Sequence, residues 1–440
     1  MLFPYAEACD CFSLPGGVDR LRMEAKSHDS EDSRATSHKS RETELLALAD
    51  RHLLGNYRPA RMVLDRGEGS QLFDTEGRRY LDFCAGVAVC CMGHGHPILS
   101  RVLAEQAGQL MQVSNYFFSE QNVLLAAELC EATGFDRVFF CNSGAEANEA
   151  LLKLSRQHHH QQGHSERTEL VAFEGAFHGR TMGALALTGN PRYQEGFGEP
   201  LAGIHHVPYG DLEAVAAKMG PRTAAIFVEP VQGEGGVLPA PEGFLSGLRE
   251  LADQHGALLM FDEVQVGMGR TGQLLAGSAV RADAVALAKG LGGGFPIGAM
   301  LLRESLSESL PPGTHGSTFG GNPLGSRAAR TVLSFLQEAG MLKQVRTRGE
   351  RLGRGLEQVA QKHSDMCLGE RGLGLLRGLM LREGLAARDL LPVAREHGLL
   401  VTAAGPSVVR FTPPLVVTDA EIDEAVQKID ETLTDASTRA

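Results

Sequence analysis

The stretch Ala284-Val285-Ala286-Leu287-Ala288-Lys289-Gly290-Leu291-Gly292-Gly293-Gly294 sets one lysine between an apolar run and a glycine-rich loop. The run reads as a short buried strand, and the glycines allow a tight turn and close backbone approach. An ordinary surface lysine fits poorly between two such segments. The same plan recurs upstream. Residues 137–140, 170–173, 224–228 and 258–261 are apolar and strand-like, and helical patterns at 145–157 and 242–255 lie among them. This alternation predicts an α/β fold, a largely parallel sheet covered by helices. Ligands of such sheets bind beyond the carboxyl ends of the strands. Ser143, Phe177, Glu229, Asp262 and Lys289 each follow one of these runs, so a single site is expected.

The 440 residues are too many for one simple core. A large domain is expected over 96–324 and a smaller α+β domain from 43–95 together with 325–440, with 1–42 a disordered or accessory extension. Within this frame 43–54, 97–110, 120–132, 323–339 and 419–433 read as helices, and 67–74, 79–83, 378–381 and 408–411 as strands. Met1 to Arg22 resembles neither a secretory signal nor a mitochondrial presequence, and Met23 is a candidate start; Met23 to Glu44 is polar and reads as disordered. A net charge of −12 with no basic run argues against nucleic acid, and no apolar run is long enough to span a bilayer. The eight cysteines, Cys9 and Cys11 among them, lack metal spacing and read as reduced thiols of a cytoplasmic protein with no metal. His158-His159-His160 reads as a polar surface connection.

Three features carry chemistry. Ser143-Gly144-Ala145 sits between a strand and a helix, where small residues let backbone N–H groups approach a phosphate. Asp262 ends an apolar run, where an acid needs a partner; a protonated ring nitrogen is a good one. Gln265 is placed to donate to a ring oxygen and Phe177 to stack on a ring face. Lys289 can form a Schiff base with an aldehyde. Together these suit pyridoxal 5'-phosphate.

The chain also resembles the class-III (ω-amino) aminotransferases of the type I pyridoxal phosphate fold, from about Tyr57 to about Leu433. The matching stretches are Phe139-Phe140-Cys141-Asn142-Ser143-Gly144-Ala145-Glu146-Ala147-Asn148, Phe173-Glu174-Gly175-Ala176-Phe177-His178-Gly179-Arg180-Thr181, Val228-Glu229-Pro230-Val231-Gln232-Gly233-Glu234, Phe261-Asp262-Glu263-Val264-Gln265 and His315-Gly316-Ser317-Thr318-Phe319-Gly320-Gly321-Asn322-Pro323. The resemblance implies that Lys289 holds the cofactor and shuttles a proton. It puts Ser143, Gly144, Ala145, Phe177, Asp262, Glu263, Val264 and Gln265 around the cofactor, with Thr318 binding the phosphate of a neighbouring subunit in a homodimer. Tyr57, Arg180, Ser317 and Arg410 would meet the substrate, with Glu234 masking Arg410 until 2-oxoglutarate binds.

The implied reaction exchanges an amino group between glutamate and an acylated ω-amine. Val87 stands where relatives acting on ornithine carry a tyrosine, which favours N-acetylornithine; N-succinylornithine and N-succinyl-diaminopimelate fit the same logic. An ornithine aminotransferase and an aminomutase are the rivals on this scaffold. Residues 275–281 depart from the family, being about two residues shorter than the usual loop, so local packing and substrate access are in question there.

Overall fold

The computed structural model describes residues 31–439. Helix α1 (Glu31–His52) leads into an antiparallel meander of β1 (Leu64–Glu68), β2 (Gln71–Asp74) and β3 (Arg79–Asp82). A one-turn element, α2 (Ala85–Ala88), precedes α3 (Pro97–Ala107) and α4 (Glu120–Thr133). Strand and helix then alternate: β4 (Arg137–Cys141), α5 (Gly144–Gln161), β5 (Glu169–Phe173), α6 (Met182–Leu187), β6 (Ile204–Val207), α7 (Leu212–Lys218) and β7 (Thr223–Val228). A ribbon of β8 (Val231–Gln232) and β9 (Leu238–Pro239) comes before α8 (Phe244–His255), β10 (Leu258–Asp262), β11 (Ala284–Leu287) and β12 (Gly298–Leu302). Last come α9 (Pro323–Leu336), α10 (Met341–Lys362), β13 (Cys367–Leu373), β14 (Leu376–Leu381), α11 (Ala387–Glu396), β15 (Leu399–Leu400), β16 (Thr402–Ala404), β17 (Val408–Phe411) and α12 (Asp419–Arg439).

The central sheet runs β4-β12-β11-β10-β7-β5-β6, and only β12 is antiparallel to its neighbours. β7, β10 and β11 are buried along their whole length, which accounts for their near-continuous apolar composition. Side chains alternate between two cores. Ala225 and Phe227 pack with Ala147, Leu151 and Leu154 of α5, while Ile226 and Val228 pack with Phe244 and Leu248 of α8. A second sheet joins β1, β2 and β3 to β15, so an early and a late segment share one layer, and a third runs β13-β14-β17-β16.

Several local expectations change. The polar stretch read as disordered is helical from Glu31 onward. It has no Gly or Pro between Arg22 and Leu54, and Ala, Glu, Lys and Arg are good helix formers whatever their polarity. The proposed start at Met23, the Met1 to Arg22 extension and the thiols of Cys9 and Cys11 lie outside the described residues; the six described cysteines are unpaired. The single strand expected over 67–74 is two, β1 and β2, split by a turn in which Gly69 takes a positive φ of 55°. His158, His159 and His160 are not a loop but the last turns of α5, and His159 is buried with Nε2 on the Ala224 carbonyl at 2.9 Å.

Candidate active site

β4 runs out at Cys141, and Ser143 caps the 18-residue helix α5. Ser143 Oγ accepts from the Glu146 amide at 3.2 Å, and the Glu146 carboxylate accepts from the Asn142 amide at 2.8 Å. The amides of Gly144 and Ala145 are left without a partner among the described residues. They line a cavity of about 460 Å³ at the positive end of the helix dipole. A Cβ on Gly144 would lie 2.6 Å from Val264 Cγ1, so only glycine lets the two segments close to this distance.

Asp262, at the end of β10, is buried and lines the same cavity. Its Oδ2 accepts from Asn148 Nδ2 and His178 Nδ1, both at 2.7 Å, and its Oδ1 from the Val264 amide at 2.9 Å. Three donors hold the carboxylate in one orientation. His178 donates through Nδ1, and its buried Nε2 has no partner. Lys289, one residue past Ala288, takes a positive φ of 44°, a conformation costly for a side-chain-bearing residue and typical of functional sites. Enclosure lowers its pKa, which frees the amine lone pair, while Glu234 and Asp262 oppose that shift. No hydrogen bond engages its Nζ among the described residues. Phe177 forms part of the wall, and the Arg180 guanidinium at the rim lies 4.0 Å from the centre of the Tyr193 ring.

Arg410 is 2% exposed, behind the cavity wall. It pairs with Glu234, which lines the cavity, and its Nη1 also donates to the Gly233 carbonyl and Gln265 Oε1, each at 3.1 Å. Burial raises the Glu234 carboxyl, but Arg410 and Lys289 outweigh it and hold the group below the usual range. Gln265 reaches the cavity, yet its amide is engaged here: Nε2 donates to Glu234 Oε1 at 3.0 Å, not to a ring.

Not every residue expected at the site reaches the cavity of a single chain. Glu263 does not face the cavity. It is buried beneath the shortened loop, where its carboxylate accepts from the amides of Ala276 and Gly277. The 275–281 loop is therefore anchored, with Leu275 buried and Glu263 beneath it. Val87 lies in a left-handed turn and is not part of the wall; Val89 is. Tyr57 is 79% exposed, and neither it, Ser317 nor Thr318 lines the cavity within one chain. Ser317 Oγ instead accepts from Asn142 Nδ2 at 3.2 Å. Sequence reading puts Glu229 at the site without a stated role, and gives no separate role to Asn148 or His178. For Asn148 a signal existed: it is a polar residue on the buried face of α5.

Burial pushes the Glu263 carboxyl up to about 7 against the pull of its two amide donors. The folded chain then keeps a proton that the unfolded chain has released above 4.5, so stability falls as pH rises from there to about 7. Thermal melts of Glu263→Gln at about pH 5 and about pH 7.5 should show a flatter slope than the parent. The slope will not vanish, because the buried Glu229 carboxyl is also raised to about 7.

An amide-lined helix end suited to a phosphate, a carboxylate held by three donors and a lysine with a free, shifted amine fit pyridoxal phosphate, and with the sheet they define a type I enzyme of that cofactor. A family model, aminotransferase class-III, matches residues 55–433. The acetylornithine aminotransferase 1 of Bradyrhizobium diazoefficiens is 49% identical over 381 residues, 86% of this chain and 94% of that protein. Among solved structures, N-acetylornithine aminotransferase from Stenotrophomonas maltophilia has a TM-score of 0.78 at 37% identity, covering 90% of this chain and 100% of that one. Ornithine aminotransferase from Toxoplasma gondii has a TM-score of 0.88 at 30% identity, covering 94% and 100%. The chain belongs to the class-III aminotransferases, which depend on pyridoxal phosphate.

Proposed function

We propose that this aminotransferase moves the amino group between N-acetylornithine and 2-oxoglutarate, giving N-acetylglutamate 5-semialdehyde and glutamate, a step of arginine biosynthesis. The Glu234–Arg410 pair beside Lys289 carries the reading. A masked arginine suits a cavity that must receive a dicarboxylate in one half of its cycle and an acylated amine in the other. Relatives 46–49% identical to the chain bear acetylornithine names, which favours the acetyl compound.

Bound pyridoxal phosphate supplies an aldehyde for an amine and a ring that draws electrons from the adjacent C–H bond. The residues of this chain do the rest. The Gly144 and Ala145 amides would anchor the phosphate, and Phe177 would cover one ring face. Asp262, held by Asn148 and His178, would keep the ring nitrogen charged. Lys289 would hold the aldehyde through Nζ and, as a free amine, would carry the proton that the reaction exchanges. Arg180 grips the substrate carboxylate at the rim, because its planar fork suits bidentate recognition. Arg410 receives the second carboxylate of 2-oxoglutarate once Glu234 turns away.

The active unit in this reading is a homodimer with shared sites. Tyr116, Phe117 and Phe118 are 92%, 72% and 92% exposed, with Phe319 at 59% nearby in sequence to Ser317 and Thr318. Gln112 and Asn115 tie the aromatic segment to the Ser317–Gly320 loop. Exposed aromatics in such number call for a partner. A second copy would cover them and bring Thr318 to the neighbouring phosphate. The unpaired described cysteines support a cytoplasmic setting.

The test is a half-reaction panel on the yellow holoenzyme. Glutamate and N-acetylornithine should each bleach the visible absorbance, with N-acetylornithine ahead of ornithine and 4-aminobutyrate by about tenfold or more. Free ornithine outrunning the acylated compound would overturn the substrate assignment.

A further inference from the structure

We infer that Glu229 is a positioning residue that holds the gate backbone still while Glu234 swings, and so sets the balance between the dicarboxylate and the acylated amine; the inference rests on the reaction proposed above. Glu229 follows β7, is 5% exposed and lines the cavity. Its Oε1 accepts from the Phe177 amide at 3.0 Å and its Oε2 from the Gly233 amide at 3.2 Å. One carboxylate thus ties the segment carrying the ring-covering phenylalanine to the segment carrying Glu234. The backbone beneath is fixed as well, because the Tyr209 hydroxyl donates to the carbonyls of Glu229 and Pro230 at 2.9 and 3.2 Å.

The Gly233 peptide is gripped from both ends. Its N–H goes to Glu229 and its carbonyl accepts from Arg410 Nη1 at 3.1 Å. It is also wedged: a Cβ at Gly233 would lie 1.9 Å from Gln265 Oε1. When Arg410 turns to a substrate carboxylate, the carbonyl loses its donor and the bond to Glu229 remains. The backbone then has no reason to follow, and opening is confined to the Glu234 side chain. A buried carboxyl with no cationic hydrogen-bond partner is expensive. The ionisable groups set around it are Asp262, His178, Tyr209 and Lys289; Asp262 and His178 bond each other without Glu229, the Tyr209 hydroxyl goes to backbone carbonyls, and no hydrogen bond joins Glu229 to Lys289 among the described residues. The role that uses both of its oxygens is the link between Phe177 and Gly233.

Glu229→Gln keeps the shape but turns an NH2 toward one of the two amides, so one bond is lost. In the holoenzyme the KM for 2-oxoglutarate should rise relative to that for N-acetylornithine by about fivefold to tenfold, the scale of one ordinary hydrogen bond. Calorimetric affinity for glutarate, an unreactive dicarboxylate, should fall by a similar factor relative to butyrate. In a Glu234→Gln background, where the gate is already broken, adding Glu229→Gln should leave the ratio unchanged. Glu229→Asp, charged but one carbon short, should shift the ratio in the same direction and serves if the amide variant does not fold. Equal losses for both substrates, a ratio shift that persists in the Glu234→Gln background, or altered visible absorbance at an unchanged ratio would each overturn the inference. A wild type that does not react with glutamate refutes the assigned reaction, whereas a reactive wild type with an unchanged ratio in both Glu229 variants refutes the positioning role alone.

Discussion

Lys289→Ala should lower turnover by about 10⁴-fold, the upper end of what a positioned acid–base group contributes, since in the proposed reaction this residue is also the covalent anchor. The protein should still fold and take up cofactor, because the helix-end cradle, Phe177 and Asp262 do not depend on the lysine side chain. Stability should not suffer: an enclosed amine with a lowered pKa is a burden that alanine removes, and the positive φ is shared by both residues. Lys289→Arg sharpens the test. Arginine keeps the positive charge but does not release its proton in this setting, so it can neither bond an aldehyde nor shuttle a proton. Initial rates with N-acetylornithine and 2-oxoglutarate, read beside the visible spectrum, decide it. If the arginine variant retained more than about one hundredth of the parental rate, Lys289 would be acting through charge alone and the amine chemistry would lie elsewhere.

The strand-end residues were legible because a parallel sheet places every carboxyl end on one edge, and the sequence marks those ends with polar residues after apolar runs. What was not legible follows from geometry that a linear pattern does not carry. Asp262 and Glu263 are adjacent, so at a strand exit they leave on opposite sides, one to the cavity and one beneath the 275–281 loop. The composition of the pair does not say which is which. The triple histidine reads as polar, but α5 carries it inward far enough to bury His159, which periodicity extended by one turn would have suggested. The left-handed run Ala85–Ala88 includes Val87, a β-branched residue for which that conformation is rare, so nothing local announces that Val89 takes the wall position. Ser317, Thr318 and Tyr57 were assigned through the family resemblance, and a single chain does not bring them to the cavity. In the proposed dimer the exposed Tyr116-Phe117-Phe118 segment would meet the partner, and that exposure is a property of the fold that the linear pattern does not carry.

Asp262→Asn is the second large effect, and it tests the electron-sink half of the chemistry independently of the lysine. The substitution keeps size and removes one charge. A unit charge at contact distance, about 4 Å, is worth about 4 kcal/mol at an effective dielectric of about 20. Converted to rate, that is about 10³-fold, so kcat should fall by about 10²- to 10³-fold with both substrates alike. Both halves of the cycle rely on the same ring, which separates this outcome from any variant of Glu234, Arg410 or Glu229. A structural cost comes with it. An amide offers one oxygen where the carboxylate offers two, to donors from Asn148, His178 and the Val264 amide. One donor is left facing an NH2, which lowers stability by about 1–3 kcal/mol. Melting temperature and cofactor affinity should therefore drop with kcat. Asp262→Glu separates the two contributions: it restores the charge but crowds His178 and Asn148, so it should recover more rate than stability. A glutamate variant as slow as the asparagine one, at equal cofactor occupancy, would mean that Asp262 matters for packing and not for holding a charge against the ring.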